Sequence, residues 1–77
     1  MRLVSKPKDF RFEELERVLL QLGYAEDTRG KTSGSRVAFI HRQDKHIIRL
    51  HKPHPGNELK RYQLDQVVAE LKSRRMI

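Results

Sequence analysis

Arg36-Val37-Ala38-Phe39-Ile40-His41, then Arg42-Gln43-Asp44-Lys45, then His46-Ile47-Ile48-Arg49-Leu50-His51: two β-prone runs joined by a polar tetrapeptide read as a β-hairpin. The strands are expected over Arg36 to His41 and His46 to Leu50. A loop of two or four residues sets Val37 opposite Leu50, Phe39 opposite Ile48 and Arg36 opposite His51. Side chains alternate across a strand, so this register sorts them by face. Val37, Phe39, Ile48 and Leu50 gather on one side, a bed for helices. Arg36, Arg49 and His51 gather on the other, beside Ala38, Ile40 and Ile47.

Toward the N-terminus, Phe12, Leu15, Val18, Leu19 and Leu22 follow one helical stripe, with Glu13 and Arg17 paired four residues apart on the polar side. Gly23 comes where a helix stop commonly needs positive φ. Tyr24 to Thr28 reads as a short strand, and Gly30 to Ser35 as a polar loop. Toward the C-terminus, the Pro-, His- and Gly-containing stretch His51 to Asn57 reads as a surface loop. Leu64, Val67, Val68 and Leu71 then mark a second helix, with Lys72, Arg74 and Arg75 at its C-terminal end. The order is α-β-β-β-α. Two apolar helical stripes and one dry sheet face have only each other to cover, which makes a two-layer α+β fold: a three-stranded antiparallel sheet with two helices on one face. We expect a flexible basic arm over 1–9 and a single domain over 10–77.

The 77-residue chain carries 17 Lys and Arg against 10 Asp and Glu and contains no cysteine. A chain this short buries only about 60% of its unfolded surface, which allows one core. Without cysteine there are no disulfides, thiolate zinc sites or thiol nucleophiles, and a reducing cytoplasmic setting is expected. The longest apolar run, Val37 to Ile40, falls far short of the roughly 20 residues of a membrane span. Basic residues in Met1 to Lys8 lack an apolar segment behind them, so no signal peptide is expected. From Thr28 to Tyr62 nine Lys or Arg meet two acids, so this stretch holds the whole net charge of +7. That is the electrostatic footprint of a phosphate-backbone binder.

Gly30-Lys31-Thr32 evokes a phosphate loop but fails on spacing: its first glycine would fall on Ala25, and a strand follows instead of a helix. No nucleotide cofactor is expected. His41 and His46 flank the hairpin tip and read as a structural cross-strand pair. His51 and His54 lie in a Pro-constrained loop, where a side chain able to carry a proton near neutral pH is better placed to act. No metal site is expected, since only Glu58 stands near these two as a third ligand. The open face bears no aromatic pair for base stacking, and recognition of backbone and shape is expected; Phe10, Tyr24 and Tyr62 are left to stack at the edges.

The segments Phe12-Glu13-Glu14-Leu15-Glu16-Arg17-Val18-Leu19-Leu20-Gln21-Leu22-Gly23-Tyr24, Gly34-Ser35-Arg36-Val37-Ala38-Phe39 and His51-Lys52-Pro53-His54-Pro55-Gly56-Asn57-Glu58-Leu59-Lys60, followed by the terminal helix, resemble the HicA toxins of bacterial type II toxin-antitoxin pairs. The likeness spans nearly the whole chain from Phe12 onward. It implies a double-stranded-RNA-binding-like fold and metal-independent endoribonuclease action on mRNA. It also implies a HicB-type antitoxin that covers the active surface.

Members usually place a catalytic histidine directly after the Gly-Ser of the strand motif, and here Arg36 stands there. Arginine stays protonated and is no base, but it can orient a phosphate or stabilise its transition-state charge. Proton transfer then falls to His54, which matches a family position in its Pro-flanked loop, and next to His51; otherwise the protein binds RNA without cutting it. Lys31, Arg36 and Arg49 are the expected anchors, with Ser35, Lys52 and Lys60 completing the RNA-binding set. Leu20 lies about 150° from the centre of its helical stripe, and the antitoxin is its expected contact. Besides the toxin, the sequence leaves open a non-cleaving RNA-binding or antitoxin-binding module and a small DNA-associated basic protein.

Overall fold

The computed structural model of the chain describes residues 2–27, 36–53 and 56–77. After a short 3-10 turn at Arg2–Ser5 come α1 (Phe12–Gln21), β1 (Tyr24–Glu26), β2 (Arg36–His41), β3 (Ile47–His51) and α2 (Arg61–Ser73). The sheet is antiparallel in the order β1-β2-β3, so the α-β-β-β-α architecture is the one expected. The strand limits differ slightly. β1 ends at Glu26 instead of running on to Thr28, and β3 begins one residue later than expected and includes His51.

Register and faces follow the alternation of the hairpin. Val37 pairs with Leu50, Phe39 with Ile48 and Arg36 with His51. Residues 42–46 link the two strands, with the His41 amide donating to the carbonyl of His46 at 2.8 Å, and Lys45, at φ 65°, donating its amide to the carbonyl of His41 at 3.0 Å. Phe39, Ile48 and Leu50 are buried in one cluster with Phe12, Leu15 and Leu19 of α1 and Leu64, Val67, Val68 and Leu71 of α2. Both helices therefore cover the same side of the sheet. Helix α1 carries Glu13 and Glu14 in its first turn, where they complement the helix dipole, and it ends where Gly23 turns the chain at φ +97°.

The N-terminal segment corrects the expectation of a loose arm. Leu3 is fully buried in the core cluster. Arg2 pairs with Asp9 at 2.5 Å and with Glu14 of α1 at 3.1 Å, and Lys6 pairs with Asp65 of α2 at 2.8 Å. Hydrogen bonds from the Lys6 ammonium and the Arg61 guanidinium hold the Asp65 carboxyl below its ordinary range. One apolar side chain with a hole to fill outweighs the basic composition that suggested an arm. Two of the residues expected to stack at edges are also core: Phe10 and Tyr24 are buried, and only Tyr62 is left outside.

Candidate functional site

The uncovered side of the hairpin bears Arg36, Ala38 and Ile40 from β2, facing His51, Arg49 and Ile47 from β3 in that order. Arg36, Arg49 and His51 are exposed. Together with Val37, Ala38 and Leu50 they line an open hollow of about 290 Å³. Two guanidinium groups and one imidazole thus share a shallow apolar-floored depression, a setting in which cations attract a phosphodiester and an imidazole can move a proton.

Helix α2 fixes the strand that carries two of these groups. β3 is an edge strand, and its outward carbonyls need donors. The Gln63 amide donates to the carbonyl of His51 at 2.8 Å, and the Gln66 amide to that of Arg49 at 3.0 Å. Gln63 is itself buried, and its Oε1 accepts the amide of Lys60 at 3.0 Å, satisfying one of the free N–H groups at the helix start. One glutamine therefore ties the backbone of His51 to the first turn of α2. Beside that turn His51, Lys52, Pro53, Lys60, Tyr62 and Gln63 line a second hollow of about 190 Å³. The Lys52 ammonium sits 5.5 Å from the centre of the Phe12 ring.

At the far end of the hairpin the other two histidines build a polar network. Nδ1 of His46 lies 2.8 Å from the Tyr24 hydroxyl and its Nε2 3.3 Å from Glu70. A neutral ring protonated on Nε2 accepts from the phenol and donates to the carboxylate, which satisfies all three groups. His41 is buried against Tyr24 with ring centroids 5.0 Å apart, its Nε2 at 3.1 Å from the carbonyl of Leu22, while Asp44 beside it pairs with Arg74. Burial pushes the Tyr24 phenol up from its ordinary value near 10.0; Arg74 opposes this and Glu70 adds to it. His41 and His46 join α2 and the α1 exit to the hairpin tip, the structural role their positions suggested.

Of the residues expected to act, the structure thus gathers Arg36, Arg49 and His51 in one hollow and His51, Lys52 and Lys60 in the next. Leu20 stands apart on α1 in the helical layer, half exposed at 51%. Lys31, Ser35 and His54 lie outside the described residues. Sequence reasoning missed Gln63 and Gln66, which hold the site's backbone, whereas Tyr62, expected to stack at an edge, is exposed beside the second hollow. The position of Gln63 three residues past the helix cap, where a side chain reaches back to the cap amide, was the available signal.

This small α-β-β-β-α domain buries one sheet face under two helices and bears Arg36, Arg49 and His51 on the other, which gives the open face a positive potential. Residues 12–73 match the family model described as the HicA toxin of bacterial toxin-antitoxin systems, and the chain belongs to this family. Comparison with curated proteins and with solved structures gives no match. Family membership makes it a toxin-antitoxin toxin domain whose partner is an antitoxin. No described helix is long and apolar enough to cross a membrane.

Proposed function

We propose that this protein is a metal-independent endoribonuclease that cuts mRNA in the cytoplasm and is neutralised by a HicB-type antitoxin seated on its open sheet face and Leu20. The observation that carries the reading is the cross-strand pair Arg36 and His51, exposed together on the uncovered face beside Arg49. An imidazole at His51 or His54 takes the proton of a ribose 2′-hydroxyl, whose oxygen bonds to the adjacent phosphorus. The bond from phosphorus to the 5′-oxygen breaks, and the other imidazole returns a proton to that oxygen. Arg36 and Arg49 hold the phosphate and offset the charge that gathers on it. The products are a 2′,3′-cyclic phosphate and a free 5′-hydroxyl.

Expression without antitoxin should arrest growth, and the double substitution His51→Ala with His54→Ala should restore it. Unchanged toxicity in the double variant would remove these histidines from the mechanism. Arg36 in the usual histidine position favours one second reading, a module of the same fold that binds RNA without cutting it. Under that reading the purified protein retards RNA in a gel yet leaves it intact, and cleavage in the presence of a chelator decides for the enzyme.

A further inference from the structure

We propose that the hollow bounded by His51, Lys52, Pro53, Lys60, Tyr62 and Gln63 is a nucleobase subsite, in which Tyr62 stacks an unpaired base of RNA beside a phosphate held by Lys52 and Lys60. This rests on the RNA-directed reading above and adds the substrate class, single-stranded RNA.

The chain has five aromatic residues. Four of them, Phe10, Phe12, Tyr24 and Phe39, are buried in the core, whereas Tyr62 is 62% exposed. A lone exposed aromatic is ordinary. This one lines a concavity with two lysines and the imidazole, and its surroundings are held in place. Gln63, the next residue, clamps the first turn of α2 to the backbone of His51. Lys52 is drawn toward the Phe12 ring, and buried Pro53 forms part of the wall.

His51 belongs to both hollows. A strand with one phosphate between Arg36 and Arg49 must pass the imidazole to reach Tyr62. The next base then meets a phenol face and the next phosphate meets ammonium groups, the combination by which proteins grip single strands. A base inside a duplex already has stacking partners and presents no free face.

The test is binding of a short fluorescent 2′-O-methyl oligoribonucleotide, which lacks the attacking hydroxyl and so separates affinity from cleavage. Tyr62→Ala should weaken binding about 10- to 100-fold, while Tyr62→Phe and Tyr62→Trp keep it. The salt slope should not move, because no phosphate contact is lost. An abasic position in the oligonucleotide should cost the wild type a similar factor and the alanine variant nothing more. Wild-type affinity in Tyr62→Ala, with binding still weakened by Arg49→Ala, would overturn the base subsite and leave the ribonuclease reading standing. Equal affinity for duplex and single strand would overturn the substrate class, and absence of any RNA binding by the wild type would overturn both readings.

Discussion

Gly23 shows how one residue sets a local geometry: at φ +97° it reverses the chain, and a Cβ there would stand 2.9 Å from Nε2 of His41. The imidazole packs against the glycine because nothing projects from it. Next to it, the Tyr24 hydroxyl sits 2.8 Å from His46 with its ring fully buried. Burial raises the pKa of this phenol, so the fold favours its neutral form. The sign follows from linkage. The unfolded chain releases this proton near the ordinary value of 10.0, the folded chain at a higher pH, so the contribution is complete below 10.0 and is lost as pH rises through the folded value. Urea midpoints should accordingly fall above pH 10 in the wild type. Tyr24→Phe should be less stable at pH 7 by about 1 kcal/mol, the loss of one hydrogen bond, with a shallower alkaline decline. An identical decline in both proteins would assign it to other groups.

At the level of elements, both helices begin alike. Phe10 precedes the cap of α1 and Leu15 follows four residues into it; Leu59 and Leu64 repeat this spacing at α2, and all four are buried. These are hydrophobic staples, which fix the angle at which a chain enters a helix. The N-terminal ends of α1 and α2 are also joined, since the amide of Phe12 donates to the carbonyl of Asn57 at 2.7 Å and that of Leu59 to Phe10 at 2.8 Å. The hairpin, the helical stripes and the basic face were legible in the sequence because period-2 and period-3.6 patterns depend on neighbours along the chain. The docking of Leu3 and the joining of the helix starts were not, because they depend on a cavity and an edge formed by residues far apart in sequence. The clamp by Gln63 was hidden for the same reason, although its effect is testable. Gln63→Ala leaves the Lys60 amide and the His51 carbonyl without partners and should cost about 1–3 kcal/mol. Amide exchange over residues 49–53 should accelerate more than over β1. Uniform acceleration would mean that Gln63 stabilises the core without positioning β3.

Across the whole molecule the charges are divided by layer and by sequence. The stretch from Thr28 to Tyr62 holds the entire net charge of +7, while the remainder balances and supplies Asp9, Glu14 and Asp65 to ion pairs within the helical layer and N-terminal turn. An internally paired layer contributes little field, so the exposed hairpin and the start of α2 set the potential an approaching anion meets. Binding driven by such a surface releases counterions, and for a single strand the logarithm of affinity falls with the logarithm of salt at about 0.7 per neutralised phosphate. Arg36→Ala and Arg49→Ala should each reduce that slope by about 0.7, because each hollow-lining guanidinium stands opposite the imidazole strand or on it. Lys72→Ala is the control, since this lysine lies in the last turn of α2 and lines neither hollow. Equal slopes for all three variants, measured on the same non-cleavable oligonucleotide, would show that RNA is drawn by the diffuse charge of the domain and not by the two guanidinium groups that share a hollow with His51.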